Sequence, residues 1–159
     1  MPAYRAPLDS MRFLLHEVLD APRALAEAGW PDAPAELFDA VLAQAARFVE
    51  EVVAPIDRPG DEEGARCTPD GVRLPAGFAA AYRAWVEGGW NGLAGDPAFD
   101  GQGLPDTLDT LVTEMVCGAS LAFSIVPGLT RGAVRAIAAH GSDSLKARWL
   151  APLVRGAWT

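Results

Sequence analysis

Few residues of this chain stand at spacings that chemistry requires. The two histidines, His16 and His140, have no Glu-x-x-His partner, and inward Glu and Glu-x-x-His pairs are what a carboxylate-bundle metal centre needs, so no metal site is expected. The two cysteines, Cys67 and Cys117, lie far apart and form no C-x-x-C. Cys117 sits among Met115, Val116 and Ala119 and reads as a buried structural thiol rather than a nucleophile. The run GLAGDPAFDGQG (92–103) has glycines but no following Lys-Ser/Thr and no preceding strand, so it is neither a P-loop nor a dinucleotide fingerprint. Glu50-Glu51 and Asp61-Glu62-Glu63 read as solvated faces, and Glu114 as a solvent-facing position between Leu111 and Met115. Trp85, Trp90, Phe99, Phe123, Trp149 and Trp158 read as core aromatics in preference to a cofactor box. No catalytic or cofactor-binding residue emerges from residue type and spacing.

Composition narrows the class. The chain has 159 residues, 50% hydrophobic and 21% charged, which is enough for one globular domain with a core. A net charge of −8 argues against a nucleic-acid partner, because phosphate binding needs a basic face. The opening MPAYRAPLDSMRFLL lacks the basic-then-apolar order of a signal peptide, so a cytoplasmic location is expected. No stretch of about 18 apolar residues free of charge occurs, so no membrane span is expected. The mean hydropathy of +0.12 is high for a small domain, and the chain ends on Trp158-Thr159. That aromatic either packs into its own core or meets another domain or subunit.

The elements read as helices throughout. The organising stretch is the glycine-broken, flexible-looking loop 90–105 and the nearly uncharged helical run 106–140. No charge falls between Leu121 and Leu129, which predicts a buried helix with the other helices as walls around it. Gly118 to Ser120 predicts a joint or a tight helix–helix contact, and Pro127-Gly128 a kink or break. Upstream, Asp9 or Ser10 is expected to cap a helix burying Met11, Leu14, Leu15, Val18 and Leu19, with Pro22 breaking it. Trp30-Pro31 predicts an extended turn, and Asp32 the start of the next helix. Phe38, Val41, Leu42, Ala45, Phe48, Val49, Val52, Val53 and Ile56 recur at helical spacing, and Pro55 is expected to stop that helix before a loop over 57–74. Asp70-Gly71 permits a small hairpin between Ala65 and Leu74. Pro75 is expected to start a helix along Phe78, Tyr82, Trp85 and Val86, and Gly141 and Ser142 to separate the last two helices. The fold class is therefore all-α, a bundle of about six helices.

Two stretches resemble one family. FDGQGLP (99–105), followed by a helix, and HGSDSLKARWLAPLVRGAWT (140–159) are similar to the N-terminal helical domain of acyl-CoA dehydrogenases. YRAPLDSMRFLLHEVLD (4–20) resembles the extra N-terminal segment of a subgroup of large dehydrogenases that includes enzymes acting on methylthiopropionyl-CoA. The resemblance implies residues 1–32 as an N-terminal extension and 33–159 as the helical domain. It also implies fatty acid metabolism: α,β-dehydrogenation of an acyl-CoA thioester, the α-hydrogen leaving as a proton and the β-hydrogen as a hydride to FAD. Matching the cavity helix residue by residue points to Phe123, Ser124 and Pro127 near the acyl tail, with a short chain implied by their bulk and rigidity. In the family the flavin β-domain and the catalytic glutamate come after this point. The 159 residues are accordingly expected to hold no FAD and to be inactive alone, and the intact enzyme to be a homo-oligomer. The alternative is a stand-alone helical binding or dimerisation module.

Overall fold

The computed structural model describes residues 3–30 and 34–159. Eight α-helical segments are described: α1 Leu8–Phe13, α2 Ala21–Glu27, α3 Ala35–Phe48, α4 Ala54–Glu63, α5 Phe78–Glu87, α6 Asp106–Ala119, α7 Leu121–His140 and α8 Asp143–Val154. A two-stranded antiparallel hairpin, β1 Arg66–Thr68 and β2 Gly71–Arg73, pairs Cys67 with Val72 across the turn at Asp70. Among the described residues the fold is all-α apart from this ribbon.

The core follows the stripe of α3 and the turn that continues it, in which Phe38, Leu42, Ala45, Val49 and Val53 are buried. Leu108, Val112, Met115 and Val116 of α6 meet it, joined by Phe78, Ala81 and Trp85 of α5 and Phe123 of α7. Full burial stabilises each such large side chain by about 1.5–3 kcal/mol. Ahead of the helices, residues 3–7 form a strap. Tyr4 donates to the Met115 carbonyl at 3.0 Å, and its ring lies over Gly118, where an added Cβ would meet it at 3.2 Å. Gly118 is thus a seat for Tyr4, and the break between α6 and α7 falls at Ser120, whose Oγ caps α7.

Several expectations are corrected. Pro55 does not stop α3. A π-helical turn, Val49–Val53, intervenes, with the Ala54 N–H bonding back to Val49, and Pro55 then sits in the first turn of α4 where an N–H is not needed. Residues 57–63 are therefore helix and not loop. Neither Asp9 nor Ser10 caps α1, which starts at Leu8 behind Pro7. A second π-helical turn, Leu14–Val18, extends it, and only Met11 and Leu15 are buried, leaving Leu14, Val18 and Leu19 exposed. Pro22 lies in the first turn of α2, and the break is at Asp20, with φ 45°. Helix α5 starts at Phe78, behind the positive-φ Gly77, and not at Pro75. Pro127 stays inside an unbroken α7. The Trp30-Pro31 turn, the Asp32 cap and the 32/33 boundary fall at or within 31–33, outside the described residues.

The largest correction concerns α7, which is an outer helix and not the buried centre. Its inward face is Phe123, Ser124, Pro127 and Thr130, while Leu121 is 65% and Leu129 72% exposed, with Ile125 between them. It packs against α4, α6 and α8, and its Phe123 reaches Phe78 and Trp85 of α5. By length and hydropathy this helix could cross a bilayer. Its two arginines, however, pair with acidic side chains of α6, as a bundle helix does.

Candidate functional site

The loop between α5 and α6 is tightly built, contrary to its flexible look in sequence. The Gln102 N–H bonds to Gly92 O at 2.9 Å, Gly103 to Gly95 at 2.9 Å and Leu104 to Leu93 at 3.0 Å. Gly101 lies so close to Gly95 that a Cβ on it would overlap the Gly95 carbonyl. The end of α8 is clipped to this loop. Asn91 donates to the carbonyls of Leu153 and Val154, Arg155 pairs with Asp100, and Tyr82 donates to Gly156 O at 3.0 Å. The two motifs that stand apart in sequence, FDGQGLP and the tail, form one corner of the molecule.

The three sequence-derived site residues separate. Phe123, 1% exposed, turns into the core, edge-on to Phe78 and to Trp85, each at 6.3 Å between ring centroids. Ser124 and Pro127 line a crevice of about 20 Å³ together with Trp85, Trp90, Asn91, Gly128, Asp109 and Arg131. That is room for about one water molecule and not for an acyl chain. The residues that spacing did not single out are Asp109 and Arg131. The Arg131 Nη1 donates to Asp109 Oδ2 and to Thr113 Oγ1, both at 2.6 Å, and Arg135 pairs with Asp106 one turn away. The available signal was Asp106 and Asp109 on one apolar helix with Arg131 and Arg135 on the next, at matching one-turn spacing.

A larger open groove, about 570 Å³, runs between α3 and the loop. Its walls are mainly Val41, Phe48, Val52, Trp90 and Leu93, with Gln44, Arg47 and Gln102 at its polar points. The Phe48 and Trp90 rings of this wall and that of Trp85 pack at tilted angles, about 6 Å from one another.

Other chemistry-bearing side chains have structural partners. The Asp39 carboxylate receives Arg12 at 3.0 Å and His16 at 3.2 Å. Burial pushes the Asp39 pKa up, but these two partners outweigh it and hold it below the ordinary value. Glu50, read in sequence as solvated, instead fastens the N-terminal strap. It accepts from the Ala6 N–H at 3.0 Å and from Arg5 at 2.6 Å, and these bonds lower its pKa in that order. Burial foremost raises the Tyr4 and Tyr82 pKa values. Cys67 is exposed on β1, Cys117 is half-buried beside α6's core face, and Glu114 is exposed. Among the described residues no three His, Cys, Asp or Glu side chains converge on one point.

This geometry can be set beside known proteins. The sequence model of the acyl-CoA dehydrogenase N-terminal domain matches residues 36–157. The chain belongs to the acyl-CoA dehydrogenase family, of which these residues are the N-terminal domain. It is 34% identical to 3-methylmercaptopropionyl-CoA dehydrogenase of Ruegeria pomeroyi, over 98% of this chain and 26% of that protein. A broad-specificity linear acyl-CoA dehydrogenase of Mycobacterium tuberculosis is 28% identical over 80% of this chain and 21% of its own length. Butyryl-CoA dehydrogenase of Syntrophomonas wolfei is 27% identical over 93% of this chain and 25% of its own length. The chain thus spans about a quarter of the length of these relatives.

Flavin adenine dinucleotide, the family's cofactor, requires anchors for two phosphates and for its ring edge. No buried side-chain polar atom lacks a partner among the described residues, and the apolar groove offers one cation, Arg47, beside Glu51.

Proposed function

We propose that this chain serves as the cavity-wall domain of a flavin-dependent acyl-CoA dehydrogenase acting on a short acyl-CoA thioester. The observation that carries this reading is the 34% identity to 3-methylmercaptopropionyl-CoA dehydrogenase across 98% of the chain. In this reading FAD is supplied by other parts of the enzyme, and the 159 residues alone bind no flavin and dehydrogenate nothing. They contribute shape, through α7 and the 90–105 loop. Residues 1–32 are the extension and 33–159 the helical domain. The enzyme works in the cytoplasm as a homo-oligomer.

The test replaces the matching segment of the Ruegeria pomeroyi relative with these 159 residues. Flavin content and acyl-CoA turnover of the purified chimera are then measured with an artificial electron acceptor. The expected result is a flavin-loaded enzyme that oxidises short acyl-CoAs. A chimera that folds and holds flavin but turns over no acyl-CoA would overturn the reading.

A second reading, a self-associating helical module, is favoured by one observation. Leu121, Ile125 and Leu129 form an exposed apolar stripe along α7, and Trp158, 47% exposed, rests on Trp149 at 4.9 Å. Sedimentation of the 159 residues tests the second reading. A dimer that is lost on I125E substitution supports the module, and a monomer across micromolar concentrations removes it.

A further inference from the structure

Residues 3–19, the strap with α1 and the π-helical turn behind it, are tied to α3 and α6 at few points. Arg5 and the Ala6 N–H both end on Glu50, at 2.6 and 3.0 Å. Arg12 and His16 both end on Asp39, at 3.0 and 3.2 Å. Among the described residues, the remaining hydrogen bond from this segment to the rest of the domain is that of Tyr4 to the Met115 carbonyl. Two carboxylates are therefore its catches, Glu50 for the strap and Asp39 for the helix. Each π-helical turn carries one tether residue, His16 on Leu14–Val18 and Glu50 on Val49–Val53. Met11 and Leu15 are the buried anchors, while Phe13, Leu14, Val18 and Leu19 are exposed. Behind the segment, Asp20 takes a left-handed backbone, φ 45°, which divides it from α2.

We propose that residues 3–19 are a latch that opens and closes as one unit about Asp20, over the joint between α6 and α7. Closed, it lays the Tyr4 ring over Gly118 and the hydroxyl on Met115, near the end of α6 and just ahead of Ser120, which caps α7. Open, it bares that joint and the core seats of Met11 and Leu15. Two features of the bonding make the segment one unit. Each catch receives two groups, so a catch that lets go frees two points at once. The strap also feeds α1 directly, because the Leu8 N–H bonds to Ala6 O and the Met11 N–H to Pro7 O, so the helix start and the strap move together. The body is held differently, through fully buried side chains such as Phe38 and Leu42 of α3 and Leu108 and Val112 of α6. A segment with few buried anchors and solvent-facing bonds opens at lower free energy than such a core.

The test is native-state amide hydrogen exchange of the 159-residue chain, read by NMR in rising but sub-denaturing guanidinium, for the parent and for E50Q. In the parent, the slow amides of residues 11–19 should share one opening free energy. They should be at least about tenfold less protected than those of residues 42–46 and 112–116. E50Q keeps the size of the side chain and removes its charge. Exchange should then rise about fivefold across residues 11–19, the scale of one charge-assisted bond at a part-exposed site, although Glu50 bonds only to residues 5 and 6. D39N, which releases the other catch, should raise the same amides together. Protection of residues 11–19 equal to that of the core in the parent overturns the latch, since the segment then opens only when the whole domain unfolds. A rise in E50Q that stops short of residues 15–19 overturns it equally, since the segment then frays from its end.

Discussion

The side-chain amide of Asn91 donates to the main-chain oxygen of Leu153 at 2.7 Å, joining the loop after α5 to the last turn of α8. It donates also to Val154 O, while its Oδ1 accepts from Trp85 Nε1 at 3.2 Å. One half-buried side chain thus satisfies the Val154 carbonyl at the helix end and an indole N–H, and adds a second donor to Leu153 O, which also accepts from the Gly156 N–H.

Asn91→Ala removes the partner of Val154 O and of the Trp85 indole N–H, while Leu153 O keeps the Gly156 N–H. The expected loss is about 2 kcal/mol of unfolding free energy, within the range for unsatisfied buried polar groups. Urea unfolding followed by tryptophan fluorescence measures it. A change under about 0.5 kcal/mol, the size of an ordinary surface substitution, would refute the role.

Gly101 is constrained by space, not by its backbone angle. An alanine Cβ there would overlap the Gly95 carbonyl, which is backbone and cannot swing aside. Gly101→Ala is expected to cost about 3 kcal/mol through forced separation of the two loop strands. Loss of chemical-shift dispersion for residues 92–104 would accompany it. A native-like spectrum with an unchanged unfolding midpoint would contradict the packing described.

Gly132 predicts the opposite sign. It lies inside α7 with nothing within 4 Å of where its Cβ would stand. Gly132→Ala is expected to raise stability by about 1 kcal/mol, the helix-propensity difference between the two residues. Thermal unfolding of the two chains side by side decides the sign.

The pH dependence follows from Asp39 and Glu50, whose carboxyls are both held below the ordinary value when folded. A depressed folded pKa contributes stability above the unfolded pKa and loses it as pH falls through the folded one. Stability should therefore decline as pH drops from about 5 toward 3. Asp39 is well exposed, so its share is modest. The variant D39N/E50Q should be less stable than the parent at pH 7, with the gap closing in acid. Guanidinium midpoints at the two pH values test this, and a gap that widens in acid would sink it.

Much of the fold was legible from periodicity. Most of the stripe from Phe38 to Ile56 came out buried, with Val41, Phe48 and Val52 half-buried at its edge, because a 3.6-residue repeat of large apolar side chains has only one way to leave water. The prolines were less legible. Pro55 and Pro127 each look like a stop. Yet a π-helical turn before Pro55 leaves its missing N–H harmless, and α7 runs through Pro127 unbroken. The exposure of Leu121 and Leu129 was not legible at all, since apolarity states what a residue prefers and not what the chain has available to cover it.

By itself the sequence determined the all-α class and the family. Those rest on local spacing and on motifs, which a linear string records in full. The tertiary structure alone decided that Phe123 belongs to the core while Ser124 and Pro127 face a crevice. It alone brought Asp109 against Arg131 beside that crevice. Residues 123 and 124 are neighbours in the chain, but a helix turns about 100° per residue, so only the placement of α5 and α6 around α7 settles what each one meets.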